Sequence, residues 1–450
     1  MGLEIKQFVF AISKTFRYRQ LIYIGVGSCL IIIATVGYLI FRGEESSIAT
    51  RTETAQITQT SQAEAAEQIP GEATLLSELK QITTSTELKK PDTTDSKIKE
   101  KSKPQETSKI EPATCNQDKT NCEHPQINSA LNEQNVFVIR YLPDEDNNGQ
   151  IDFESTGYNG SVSDLRNKTK QSQSQAAYWL TEASRYKGYK DLNARPSLGY
   201  KISDEIEFTT NPPKGLKVPW NNAYRPDYIK ILSTANICDL VDNKGIDQVW
   251  IWTQHHKDIE PVETNLYSKH GDISNSERSN DLPPCNNSYM LLNLNFTRGP
   301  AEILHNHGHQ LEAFLTHKDS NGIFWNNFVG SSTGQSALTS TPKHCGWTHY
   351  APNSVSDYDT SATRTVQSDC ETWNPDGPST TKPVNCETWQ KYAYNKPGCI
   401  DDGGLAFSVW WMQNLPGHNN GLTFKGKALR NWWEYYSRTD VVLGGSLHYK

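Results

Sequence analysis

The sequence predicts an α/β protein in three parts: a single-pass N-terminal membrane helix, a disordered tether, and one large disulfide-containing ectodomain. The ectodomain is expected to carry a partly parallel sheet and a long irregular C-terminal region. Three observations predict this. An uncharged apolar run lies close to the N-terminus. A polar segment without a single aromatic residue follows it. Strand-like and helix-like patterns then alternate through the last 320 residues. The average over all 450 residues hides the division: mean hydropathy is −0.67, yet the chain holds 12 Trp, an excess that points to unlike segments joined together.

Leu21 to Phe41 is 21 residues without a charge. At 1.5 Å per residue it spans roughly 30 Å, the hydrocarbon thickness of a bilayer. Val26-Gly-Ser-Cys29 loosely resembles a lipoprotein cleavage site, but Leu30 to Phe41 stays apolar where a mature lipoprotein turns polar. Lys6, Lys14, Arg17 and Arg19 precede the run, while Arg42, Glu44 and Glu45 follow it. Positive flanks stay inside. The expectation is a cytoplasmic tail at 1–20, a span of the plasma membrane at 21–41, and everything C-terminal to it outside.

Residues 42–130 are mainly Ser, Thr, Glu, Gln and Lys. Such a segment cannot bury enough apolar area to offset its ordering entropy, so a tether is expected. From residue 131 onward the chain is long enough for a sizeable core. Strands are expected at Val136–Tyr141, Glu205–Phe208, Val249–Trp252 and Met290–Phe296, and helices at Asp164–Tyr186, Asp227–Asn243 and Pro300–His317. This alternation indicates an α/β layer. Residues 331–403 are rich in Gly, Pro, Ser, Thr and Asn and predict irregular structure.

Beyond Cys29 in the apolar run there are eight cysteines, an even number, all on the expected outer side, where disulfides persist. Cys115 and Cys122 form a plausible local pair. The remaining six allow 15 connectivities.

Two constellations carry chemistry. The first, Asp144-Glu-Asp146-Asn-Asn148-Gly149-Gln150-Ile151-Asp152, resembles the front of an EF-hand calcium loop. Oxygen donors fall at alternate positions (Asp144, Asp146, Asn148, Gln150, Asp152) around a glycine turn, and Ca²⁺ takes six to eight hard oxygens. Ser155 stands where the usual bidentate Glu would be, and an Asn-Gly hairpin turn reads the same way.

The second is Glu302-Ile-Leu-His305-Asn306-His307-Gly308-His309-Gln-Leu-Glu312. On a helical wheel Glu302, His305, His309 and Glu312 share one stripe about 80° wide, beside the apolar stripe. His at i and i+4 can bind one metal ion, zinc or another divalent transition metal. His305-Asn-His-Gly-His309 resembles the His-Glu-x-x-His zinc helix of the zincin metallopeptidases over this five-residue stretch. The resemblance fails at the family's general base, where Asn306 stands and cannot accept a proton. Another carboxylate, Glu302 or Glu312, is expected to replace it, with His305, His309 and His307 as candidate metal ligands.

His255 and His256 follow the strand at Val249–Trp252, where α/β sheets bind ligands. His270, His349 and Trp347 lie in polar loops and complete the candidate ligand-binding set. The pairs Trp250/Trp252, Trp410/Trp411 and Trp432/Trp433 read either as core or as a platform for sugars.

No Walker loop or dinucleotide fingerprint is present, and a pI near 6.0 argues against a nucleic-acid partner. The expected function is metal-dependent hydrolysis of an extracellular polymer, peptide or glycan. The alternative is a non-catalytic glycan- or wall-binding or structural surface domain stabilised by calcium and disulfides. Isothermal titration of the full-length chain with Ca²⁺ tests the first constellation: binding tighter than about 1 mM is expected of a working loop, and its absence removes calcium.

Overall fold

The computed structural model describes residues 114–115, 122–123, 130–276, 280–319, 322–330, 343–394 and 398–443. The expected anchor at 21–41 and most of the tether lie outside these residues. Among the described residues no helix is long and apolar enough to cross a membrane. Within the stretch expected to be a tether, Thr114–Cys115 and Cys122–Glu123 pair antiparallel, with Cys115 opposite Cys122.

The domain is built on one five-stranded sheet. In chain order its main elements are β1 (Asn132–Tyr141), α1 (Val162–Ala183), β2 (Leu198–Phe208), α2 (Tyr228–Thr234), α3 (Ile237–Lys244), β3 (Gln248–Thr253), β4 (Thr264–Tyr267), β5 (Tyr289–Asn295), α4 (Pro300–Lys318), α5 (Cys386–Tyr394) and α6 (Leu405–Asn414). The strand order is β2-β1-β3-β5-β4. The first four are mutually parallel, and β4 runs antiparallel along the edge against β5.

Because successive side chains of a strand point to opposite faces, each central strand feeds two cores. Val136, Val138, Trp250, Trp252, Leu292 and Leu294 join the layer containing α1, α4 and α6. Phe137, Ile139, Val249, Ile251 and Leu291 join the layer containing α2 and α3. With both faces covered, β3 is buried at every position, as expected for a parallel strand between helical layers.

The expected helix at Asp227–Asn243 is two helices. Asn236 has φ of 52° and turns the chain between α2 and α3. Helix α6 has no amphipathic stripe to betray it, because all ten of its residues are buried. The region at 331–403 holds short elements, among them α5 and an antiparallel pair at Val366–Ser368 and Lys382–Val384. Among the described residues three disulfides pin the fold: Cys238–Cys285, Cys345–Cys370 and Cys386–Cys399. The tryptophan pairs are core. Trp250, Trp252, Trp389, Trp410, Trp411, Trp432 and Trp433 are each under 2% exposed, whereas Trp220 stands out at 59%.

Helix α1 is fastened to the sheet by buried Arg140 of β1. Its Nε donates to Thr169 Oγ1 at 3.1 Å, and its Nη2 donates to Gln173 Oε1 at 2.6 Å and to Glu205 Oε2 at 2.8 Å. Lys170 holds the other oxygen of Glu205 at 2.7 Å. Burial opposes ionisation of Glu205, but the hydrogen bonds from Arg140 and Lys170 prevail and bring its pKa down to about 2. A depressed folded pKa stabilises above the unfolded value and is lost as pH falls through the folded one. Glu205→Gln is therefore expected to lower stability at pH 7 and to flatten its dependence between pH 4.5 and pH 2. The loss should be about 1 kcal/mol or less, since the side chain is 35% exposed to screening solvent. Urea unfolding across that pH range measures it.

Candidate metal centre

Helix α4 begins five residues after β5 and packs back across the sheet edge formed by β5 and β4. Pro300 opens it at its first turn, where a missing N–H costs nothing. Asn306 faces the sheet. Its amide donates to the backbone carbonyls of Asn293 at 2.9 Å and Glu263 at 3.3 Å. Those residues belong to β5 and to the segment leading directly into β4.

One face of α4 presents His305 and His309, whose Nε2 atoms are 3.0 Å apart. His349 comes from the loop after residue 343, and its Nε2 lies 3.0 Å from that of His309. All three donor atoms fall within 4.8 Å of one another, and the three histidines can hold a metal ion. A tetrahedral ion with bonds near 2.05 Å would hold its ligands roughly 3.4 Å apart.

The loop carrying His349 is positioned in four ways. The Cys345–Cys370 disulfide anchors its start. Trp347 and Tyr350 exchange backbone hydrogen bonds of 3.0 and 2.8 Å. The Trp347 ring stacks on the His349 ring at 4.8 Å. Finally, Thr348 donates its backbone N–H at 2.8 Å, and its hydroxyl at 2.5 Å, to Glu312 Oε1. Gly308 makes this approach possible: a Cβ there would sit 2.5 Å from Thr348 Oγ1.

The outer nitrogens of two rings face carboxylates. Glu312 Oε2 lies 3.0 Å from His309 Nδ1, and Asp357 Oδ1 lies 3.5 Å from His349 Nδ1. Such contacts fix a ring's orientation and leave Nε2 as the free donor. A third carboxylate stands beside the inner nitrogens. Glu263 Oε1 is 3.5 Å from His305 Nε2, and its Oε2 is 3.6 Å from His309 Nε2. The Tyr358 hydroxyl is 3.1 Å from His349 Nε2.

Charge at the site is balanced against burial. Burial lowers the pKa of His305 and, with the neighbouring imidazoles, takes His349 down to about 4. Burial also pushes His309 down, but Glu263 and Glu312 prevail and raise it. Burial pushes both carboxyls up, but the histidines prevail and hold Glu312 and Glu263 below the usual carboxylate range.

The candidates read from sequence divide cleanly. His305, His309, His349, Trp347 and Glu312 are brought together. His307, expected as a ligand, is fully buried on the sheet side of α4, with Nδ1 2.9 Å from the Ile303 carbonyl and Nε2 3.1 Å from Gln248. It sits 200° around the helix from His305, so ligation by both is geometrically excluded. Glu302, expected to be catalytic, accepts the Asn295 N–H at 3.2 Å and lies 3.4 Å from Arg298; burial raises its pKa to about 7. His270 contacts the Asp440 carbonyl at 3.1 Å. The His256 ring sits against Gly157, and His255 is exposed. In the calcium-like loop, Asp144 accepts the N–H groups of Asn148 and Gly149, Asn148 accepts that of Gln150, and Asp152 caps a short helix at Phe153–Thr156. Asp146 and Gln150 are exposed.

Glu263 and Tyr358 were missed by sequence reading. Neither sits in a motif, and both lie far along the chain from α4. No protein-family model matches this chain, and no curated protein matches it.

Removing the carboxylate behind His309 tests the construction of the centre. Glu312→Gln is expected to weaken divalent-metal affinity by about 10- to 100-fold, read by competition with a chromogenic chelator. Unchanged affinity would remove Glu312 from its role in orienting the ring.

Proposed function

We propose that this chain is a membrane-tethered, outward-facing, metal-dependent hydrolase of an extracellular polymer, with His305, His309 and His349 as the metal ligands. One observation carries the reading. His309 Nε2 lies 3.0 Å from the Nε2 atoms of both His305 and His349, all three fall within 4.8 Å of one another, and the opposite nitrogens of two rings are turned to carboxylates. Facing lone pairs repel unless a proton or a metal cation lies between them, and three nitrogens converging on one point suit a metal ion. Imidazole ligands suit Zn²⁺ and neighbouring transition metals, and three imidazoles with an open position make up one known catalytic zinc set. A bound ion of that class polarises a carbonyl and acidifies water at neutral pH.

The outward location rests on the charge asymmetry about residues 21–41 and on the three disulfides, which suit an oxidising compartment. Peptide and glycan both remain substrate classes for the test. The competing reading is a metal that only braces the fold. The nearness of Glu263 favours it, since a fourth protein ligand would close the coordination shell as in structural zinc sites.

The purified full-length chain is expected to hold about one transition-metal ion, and His309→Ala to hold far less. Cleavage of casein or of a soluble cell-wall glycan should vanish on chelation and return on adding Zn²⁺. Bound metal without any cleavage would favour the structural reading; no bound metal would end both.

A further inference from the structure

We infer that Glu263, delivered from the sheet edge rather than from the metal-binding helix, is the general base of this centre; the inference rests on the hydrolase reading above. The helix itself offers no base. At the position following His305 stands Asn306, whose amide is spent on the backbone carbonyls of Asn293 and Glu263. The neighbouring carboxylates are placed less well. Glu312 serves His309 and Thr348, Asp357 faces the outer nitrogen of His349, and Glu302 is buried, with one oxygen on the Asn295 N–H and the other 3.4 Å from Arg298.

Glu263 is placed differently. Its two oxygens face the inner nitrogens of His305 and His309, one each, at 3.5 and 3.6 Å. The side chain is 44% exposed, so it borders the open side of the centre. The three imidazole donors lie within 4.8 Å of one another, and Glu263 approaches two of them, His305 and His309, from the side of the sheet edge. Asn275 donates its amide to Glu263 Oε2, which fixes the carboxylate with Oε1 turned to the His305 side of the centre. Asn306 meanwhile clamps the backbone of the same residue. The amide that replaces a base on the helix therefore holds in place the residue that supplies one.

In the step assigned to it, written for an amide or ester bond of the polymer, Glu263 takes a proton from a water molecule on the open side of the imidazoles. The water oxygen bonds to the substrate carbonyl carbon as the carbonyl π pair moves to its oxygen. As that pair returns, the bond to the leaving nitrogen or oxygen breaks. Glu263 passes the proton to the leaving atom and is again a carboxylate, so the sum is one water consumed per bond cleaved.

The test uses the full-length chain loaded with Co²⁺ and the small chelator acetohydroxamate as probe. In Glu263→Gln, Co²⁺ affinity and the visible absorption envelope are expected to stay as in the wild type. Acetohydroxamate binding should weaken at least about tenfold, through loss of a charge-assisted hydrogen bond. Glu263→Asp, which keeps the charge and guards against a misfolded amide variant, should fall between the two. Loss of Co²⁺ or a changed spectrum in Glu263→Gln would make Glu263 a ligand and overturn the proposal. Unchanged acetohydroxamate binding would also overturn it, because Glu263 then does not reach the exchangeable position. A wild-type chain that takes up no Co²⁺ would instead defeat the metal-centre reading itself.

Discussion

The buried carboxylate of Glu312 is the contact on which the centre depends. One oxygen faces His309 on its own helix, and the other receives two hydrogen bonds from Thr348 of a distant loop. A buried carboxylate without partners costs several kcal/mol. Here the partners are the two elements that must be brought into register for three imidazoles to meet. The close approach at Gly308, with Thr348 against the helix backbone, depends on the same contact. Moving the loop by an ångström would leave Glu312 unsatisfied and His349 out of reach.

Around this contact the protein is a rigid frame. Helix α4 rests on a sheet whose central strands are buried on both faces, and the aromatic core beneath it leaves little room for adjustment. Trp411 of α6 donates its indole N–H to the Gly346 carbonyl at 2.9 Å, three residues before His349. The Cys345–Cys370 bridge fixes the same stretch. Tryptophans that read from sequence as either core or sugar platform thus serve as core, and one of them props the loop of the candidate centre. Ligand geometry held by elements rather than by a loose loop is the arrangement that a catalytic site requires.

Much of the architecture was legible in the residues. The strands at 136–141, 249–252 and 290–296 and the helices at 164–186 and 300–317 show their apolar periods plainly, and each matches an element to within a few residues. Edge strand β4 was not legible: four residues, Thr-Asn-Leu-Tyr, are too short and polar to show a period. Helix α6 was hidden for the opposite reason, being apolar on every side. At the centre, the spacing of His305 and His309 was a local signal. His307 illustrates its limit, because two residues along a helix turn a side chain away from its neighbour regardless of composition.

The sequence by itself determined that two histidines share a helix face, that no carboxylate occupies the position of the base between them, and that a dense aromatic stretch follows an apolar run and a polar segment. It also determined that the cysteines beyond that run are even in number. Only the tertiary structure decided which further groups join the pair. His349 lies 40 residues beyond His309, and Glu263 lies 42 residues before His305 in the chain, yet both come within 4 Å. The physical reason is that a helix period reports neighbours three or four residues apart. Contacts across a sheet edge and a disulfide-anchored loop are set by packing, and packing has no period along the chain.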